Sequence, residues 1–156
     1  MADNEIPPPR VARIADAVDD IEENVTRLRS LQSLSHGEYT DSDAQDRRDA
    51  VERKFEKLAE ATLDIATELC KQETGSVPDR RKRRITVLET AGIVDADLAD
   101  RLRAAIAFRD VLAHTYGAIV NDDLVYDALQ SDLQRYVEFV RAVDEYLERT
   151  AESEDR

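Results

Sequence analysis

The sequence predicts an all-α protein built as an antiparallel bundle of about five helices, and three observations lead there. Glycine and proline number four each in 156 residues, too few for a chain of short strands joined by tight turns. Ala, Leu, Glu, Asp and Arg dominate the composition, which favours long helices. Apolar residues also recur at spacings of three and four over long stretches, the pattern of helices with one buried face. At this length one domain is expected over 10–150, between a flexible lead-in at 1–9 and a frayed tail at 151–156.

Taken in order, Pro7, Pro8 and Pro9 extend the lead-in, because proline lacks a backbone donor and turns its predecessor away from helix. Order begins near Arg10. Val11, Ile14, Ala15, Val18, Ile21, Val25, Leu28, Leu31 and Leu34 then form the stripe of a first long helix. His36 and Gly37 break the pattern, with His36 expected exposed in an interhelical turn. Asp41 or Ser42 caps a second helix that carries Val51, Phe55, Leu58, Thr62, Ile65 and Leu69 along one face and packs antiparallel to the first. The near-heptad spacing fits a coiled-coil seam or a bundle core, and the short chain favours the core.

Gly75 to Pro78 form a loop, and Asp79 stands as N-cap before a short helix that opens on Arg80, Arg81, Lys82, Arg83 and Arg84 and ends near Gly92. Asp95 caps the fourth helix, with Leu98, Leu102, Ala105, Ile106 and Leu112 apolar and Gly117 as its left-handed stop. After a turn at Asn121 to Asp123, one closing helix carries Leu124, Ala128, Leu133, Tyr136, Val137, Val140, Val143 and Leu147.

A formal charge of −13 speaks against nucleic-acid binding, since phosphate contacts need lysine and arginine clustered on one face. Placement decides more than the total. The basic residues are 18 Arg against 4 Lys and the acids are rich in Asp, a balance resembling proteins of a salt-filled cytoplasm. Such salt shortens the Debye length to about 3 Å, so distant acids hardly repel RNA, although phosphate contacts weaken too. No stretch nears the roughly 18 apolar residues of a membrane span and no secretory leader is visible, so a cytoplasmic protein without membrane contact is expected. Cys70 is the only cysteine; it can form no internal disulfide and reads as a small buried apolar residue.

One stretch places unusual polar residues at a helix end: Phe108, Arg109, Asp110, then His114, Thr115, Tyr116 and Gly117. Arginine offers a planar fork of donors that matches phosphate oxygens, and histidine titrates near neutrality, so the pair suits phosphoryl chemistry. Their five-residue spacing does not align them on an ideal helix, and convergence requires the helix to distort or end there. A capping histidine beside an exposed arginine is the plainer alternative.

The order Arg109, Asp110, three more residues and His114 resembles the signature of HEPN-domain proteins. Phe108 before it and Tyr116 two residues beyond the histidine narrow the resemblance to the HepT branch, ribonuclease toxins encoded beside a minimal nucleotidyltransferase antitoxin. The alanine- and glutamate-rich second helix, the loop ending at Pro78, the stretch from Leu88 to Leu102 and the closing helix follow the same layout from about Arg10 to Leu147. Asp110 stands where that family more often has asparagine; it keeps an acceptor and adds negative charge.

The resemblance implies a two-fold homodimer in which two motifs face each other across a cleft and cleave RNA, tRNA or another, without metal, as a type VII-like toxin–antitoxin pair. Arg109, His114 and Asp110 become the catalytic set. Tyr116 becomes the acceptor of adenylyl groups that the nucleotidyltransferase transfers from ATP, which would silence the site. Narrow apolar stripes on long helices also suit a two-fold pair.

Arg80, Arg81, Lys82, Arg83 and Arg84 are the candidates for guiding an RNA backbone into the cleft, with Arg101 and Arg103 adding to the funnel. Equally, such a run can be a solvated face paired with the abundant acids. His36, His114 and Cys70 lack zinc-ligand spacing, and no glycine-rich phosphate loop or serine-nucleophile signature occurs, so no metal, cofactor or DNA partner is expected. The competing function is a HEPN scaffold without catalysis, or a nucleotide-binding partner of a nucleotidyltransferase.

Overall fold

The computed structural model describes residues 5–114 and 122–154, and these contain seven α-helices and one 3-10 turn. In chain order they are α1 (Pro8–Arg29), α2 (His36–Thr40), the 3-10 turn Ser42–Ala44, α3 (Gln45–Thr74), α4 (Arg81–Thr90), α5 (Ala96–His114), α6 (Asp122–Ser131) and α7 (Gln134–Glu154). Four of them close a ring: α1 packs on α3, α3 on α5, α5 on α7, and α7 back on α1. The all-α bundle expected from the sequence is present.

Helix α1 begins at Pro8 and not at Arg10, because proline is well tolerated in a first turn whose donors have no helical acceptor. Its apolar stripe is buried at Ile14, Ala17, Val18, Ile21, Val25 and Leu28, and its partner is α3. Arg10 donates to Gln72 at 2.7 Å and Arg13 to Glu68 at 2.6 Å, so the start of α1 lies beside the end of α3 and the pair is antiparallel. Helix α1 stops at Arg29; Leu31 and Leu34 continue the stripe only as partly buried residues of the turn that follows.

The turn expected at His36 is itself helical. Ser35 and Glu38 form a capping box in which each side chain accepts from the other's backbone N–H, and α2 buries Tyr39 completely. Asp41 caps the 3-10 turn, accepting from Asp43 N–H, so the long helix starts three residues later than Ser42. Arg48, almost fully buried, donates to the carbonyls of Tyr39 and Asp41 and to Gln45, tying α2 to α3. At the far end Gly75 takes φ +76°, a left-handed stop that donates to the Lys71 carbonyl.

Asp79 does not cap α4; Arg80 holds the cap position without a side-chain bond. Gly92, also at φ +76°, ends α4 by donating to the Glu89 carbonyl while Ile93 N–H reaches Leu88, the paired arrangement of a Schellman stop. The expected single closing helix is two. Gln32 donates to the Leu129 carbonyl, taking an acceptor from the helical ladder, and Gln130 donates back to Gln32; the chain bends over 132–133 and restarts at Gln134. The bend buries Leu133, and Tyr136, Phe139, Val143 and Tyr146 of α7 enter the core. Cys70 is buried outside any disulfide, its thiol donates to the Arg84 carbonyl at 3.6 Å, and burial pushes its pKa up.

Candidate active site

Helix α5 carries the motif, and its start is set by Asp95, whose carboxylate accepts from Leu98 N–H at 2.8 Å. Ala105, Ile106 and Leu112 face the core, while Phe108 lays its ring edge-on against Phe55 of α3, with centroids 5.4 Å apart at 80°. This contact packs α5 onto α3 one residue before Arg109. Arg109 is four-fifths covered, and its guanidinium reaches Glu60 of α3 at 3.7 Å and Asp110 at 3.4 Å. Its Nε is buried without a hydrogen-bond partner among the described residues.

Asp110 is half exposed and also meets Arg81 from the first turn of α4, 3.0 Å from guanidinium to carboxylate. One carboxylate oxygen thus lies between two guanidiniums from two helices. Three helices meet here: α3 supplies Glu60, α4 Arg81, and α5 Arg109 and Asp110. Glu60 had no distinguishing mark in the sequence, being one of many acids on the outer face of a long helix.

His114 is the final described residue of α5. The helix remains regular through it, so by register Asp110 and His114 share a face, four residues apart, whereas Arg109 and His114 stand about 140° apart around the axis. Tyr116 and Gly117 lie outside the described residues.

The seven basic residues marked for RNA divide into two groups. Arg80, Arg81, Lys82 and Arg83 are exposed around the start of α4, a turn that holds no acid to offset the positive end of the helix. Arg84, Arg101 and Arg103 are partly buried and paired within the fold. Arg84 donates to the carbonyls of Pro78 and Asp79 and to Thr67. Arg101 bonds Glu138 of α7 and Asp97, and the Glu138 carboxylate beside it raises its pKa further. Arg103 is held by Glu89 and Asp100. Those three arginines join helices to one another.

Outside this site, His36 is more than exposed turn: it meets Asp123 at 2.5 Å and stands edge-on to Tyr126, whose hydroxyl donates to the Leu34 carbonyl. Among the described residues, no helix is long and apolar enough to cross a membrane.

Comparison with known proteins adds the following. A family model described as ribonuclease HepT-like matches residues 21–143. The chain is similar to the mRNA nuclease HepT of Shewanella oneidensis, 24% identical over 96 residues that make up 62% of this chain and 71% of that protein. Among solved structures it is similar to a toxin–antitoxin complex with AMP-PNP, with TM-score 0.74 and 20% identity over 85% of this chain and 98% of that one. It is also similar to the tri-AMPylated Shewanella oneidensis HEPN toxin in complex with its MNT antitoxin, with TM-score 0.73 and 21% identity over 85% and 96%.

Proposed function

Because the chain belongs to the ribonuclease HepT-like family, we propose that it is an endoribonuclease toxin that cleaves RNA without metal and is silenced by a nucleotidyltransferase antitoxin. The observation that carries this reading is Arg109, held by Phe108 packing and Glu60 at a meeting of three helices, with His114 in register one turn beyond Asp110.

The RNA 2′-hydroxyl is an internal nucleophile, so the site must supply a base, an acid and charge stabilisation for the phosphorane. His114 takes the 2′-hydroxyl proton as that oxygen attacks phosphorus. Arg109 stabilises the added negative charge, the 5′-oxygen leaves with a proton, and a 2′,3′-cyclic phosphate remains. One imidazole cannot take one proton while giving another, so His114 of the partner subunit donates to the leaving oxygen in a two-fold homodimer. Asp110 is the motif's acceptor, and the exposed Arg80, Arg81, Lys82 and Arg83 lead the backbone toward it.

Silencing is assigned to Tyr116. Its phenolic oxygen attacks the α-phosphorus of ATP bound by the antitoxin, pyrophosphate leaves, and the attached AMP adds bulk and negative charge two residues beyond His114 in the sequence. The tri-AMPylated state of the Shewanella toxin supports this reading.

The test is total RNA incubated with the purified chain and with His114→Ala, with and without EDTA. Cleavage with cyclic-phosphate ends that survives EDTA and disappears in the variant is expected; cleavage that survives in the variant removes His114 from the mechanism. A second reading, a scaffold without catalysis, is favoured by the Asp110 carboxylate between the two guanidiniums. Absence of any cleavage by the wild-type chain decides for it.

A further inference from the structure

We infer that Arg81 and Arg109 form one phosphodiester subsite for RNA, and that Asp110 is its resident counter-anion, displaced when a substrate phosphate arrives. The inference rests on the proposed nuclease reading and adds to it a residue from outside the motif helix, together with a reason for aspartate at position 110.

Three observations carry it. The guanidiniums of Arg81 and Arg109 converge on a single oxygen, Oδ1 of Asp110, at 3.0 and 3.4 Å. Two planar donor groups sharing one oxyanion is the arrangement a phosphate also fills, with more oxygens than a carboxylate offers. The Arg81–Asp110 pair is close to half exposed on both sides, and ion pairs in such surroundings contribute little, so exchanging the carboxylate for a phosphate costs little. The two guanidiniums also differ in freedom. Arg109 is largely covered and anchored toward Glu60, whereas Arg81 opens a helix whose flanking residues Arg80, Lys82 and Arg83 all face solvent. Arg81 is therefore the point where the exposed basic run of α4 meets the motif of α5, among the described residues the one member of that run paired with Asp110.

The chemistry requires a counter-anion there. In a chain of net charge −13 the basic run is an island, and two convergent guanidiniums without a partner would repel each other. Asp110 relieves that repulsion in the free protein. It then opposes the incoming phosphate, so it weakens RNA binding while keeping Arg81 and Arg109 aligned for it.

The test uses the full chain and a short fluorescent 2′-O-methyl RNA, which lacks the nucleophile and reports binding by anisotropy across a salt series. Arg81→Ala is expected to weaken binding several-fold and to lower the slope of log affinity against log salt by about 0.7, the loss of one phosphate contact on a single strand. Asp110→Asn is expected to tighten binding several-fold, and Arg27→Ala, an exposed cation on α1 paired with Glu23, to leave the slope unchanged. Circular dichroism confirms that each variant is folded. Wild-type affinity and slope in folded Arg81→Ala, or weaker binding in Asp110→Asn, overturns the subsite. Cleavage is scored separately on unmodified RNA. A wild-type chain that binds as expected but does not cut removes the proposed function and leaves the subsite, one that cuts while Arg81→Ala binds normally does the reverse, and a wild-type chain that does not bind the probe overturns the subsite while cleavage alone decides the function.

Discussion

The buried guanidinium of Arg48, near the start of α3, lies 3.6 Å from the carboxylate of Asp122, the first residue of α6. The same side chain satisfies the carbonyls of Tyr39 and Asp41, so one residue holds α2, the 3-10 turn, α3 and the start of α6 together. Arg48→Ala strands two carbonyls and a carboxylate at once. We expect a loss of about 3 kcal/mol and a fall in Tm of about 6–12 °C, with Arg48→Lys intermediate because an ammonium cannot reproduce the fork. Thermal unfolding followed by circular dichroism measures it, and a drop below about 2 °C in Arg48→Ala would show the guanidinium to be dispensable.

Phe108 separates a stability effect from an effect on chemistry. Phe108→Ala removes the ring contact with Phe55 and opens space beside Arg109, at a cost of about 2 kcal/mol for a partly buried ring. If this ring sets the rotation of α5, kcat for RNA cleavage falls at least tenfold below the melting transition while Phe108→Leu retains most of it. Equal kcat in all three proteins would mean that Arg109 needs no help from its neighbour.

Two carboxylates on the α1–α3 face give opposite pH signatures. Burial pushes Glu68 up, but hydrogen bonds from Arg13 and Lys71 outweigh it and hold its pKa below the ordinary 4.5. A depressed carboxylate contributes stability above its unfolded pKa and loses it as pH falls through the folded one. Glu68→Gln should therefore lower Tm at pH 7, with the difference closing as pH drops well below 4.5. Asp64 is raised from 3.8 by burial and by Glu60, Asp20 and Glu68. Its charged form is disfavoured in the fold, so Asp64→Asn should raise Tm at pH 7 by about 1–2 °C, discounted for its exposure, and the gain should vanish near pH 3.8. Parallel pH dependence in the two variants would refute the assignment of signs.

Gly92 offers a test free of packing effects. A Cβ there meets no atom within 4 Å, yet φ is +76°, so Gly92→Ala carries only the conformational cost of the left-handed region, about 1 kcal/mol. Calorimetry should show Tm lower by about 2–4 °C and a smaller loss for Gly92→Asn, which tolerates this region better. No change in Gly92→Ala would mean that the α4 stop does not need that backbone angle.

Local chemistry in the sequence located what local chemistry controls. The buried face of α1, the Asp95 cap, the loop opening at Gly75, the end of α4 near Gly92 and the buried Cys70 all follow from residues within a turn or two of one another, whereas the left-handed angles at the two glycines appear only in the fold. The capping box of α2 was equally local, Ser35 with Glu38 three residues on, but the Gly37 between them reads first as a breaker. Other features depend on partners far along the chain. Nothing near Leu129 foretells that Gln32 will take its carbonyl where the closing helix breaks. Nothing near Arg101 or Arg103 foretells that Glu138 and Glu89 will occupy them. For the site, the motif itself was legible, whereas Glu60 and the Arg81–Asp110 pair emerge only when α3, α4 and α5 are brought together.

The closed ring of α1, α3, α5 and α7 also sets a schedule. Synthesis delivers α3, α4 and α5 before α7, so Glu60, Arg81, Arg109 and Asp110 are all made while one wall of the ring is still missing. Until α7 follows, the side of the nascent bundle that will receive Tyr136, Phe139, Val143 and Tyr146 faces water, and the helices bearing the site lack the packing that holds them rigid. Closure of the ring around the site therefore waits for the last of its four helices to be made.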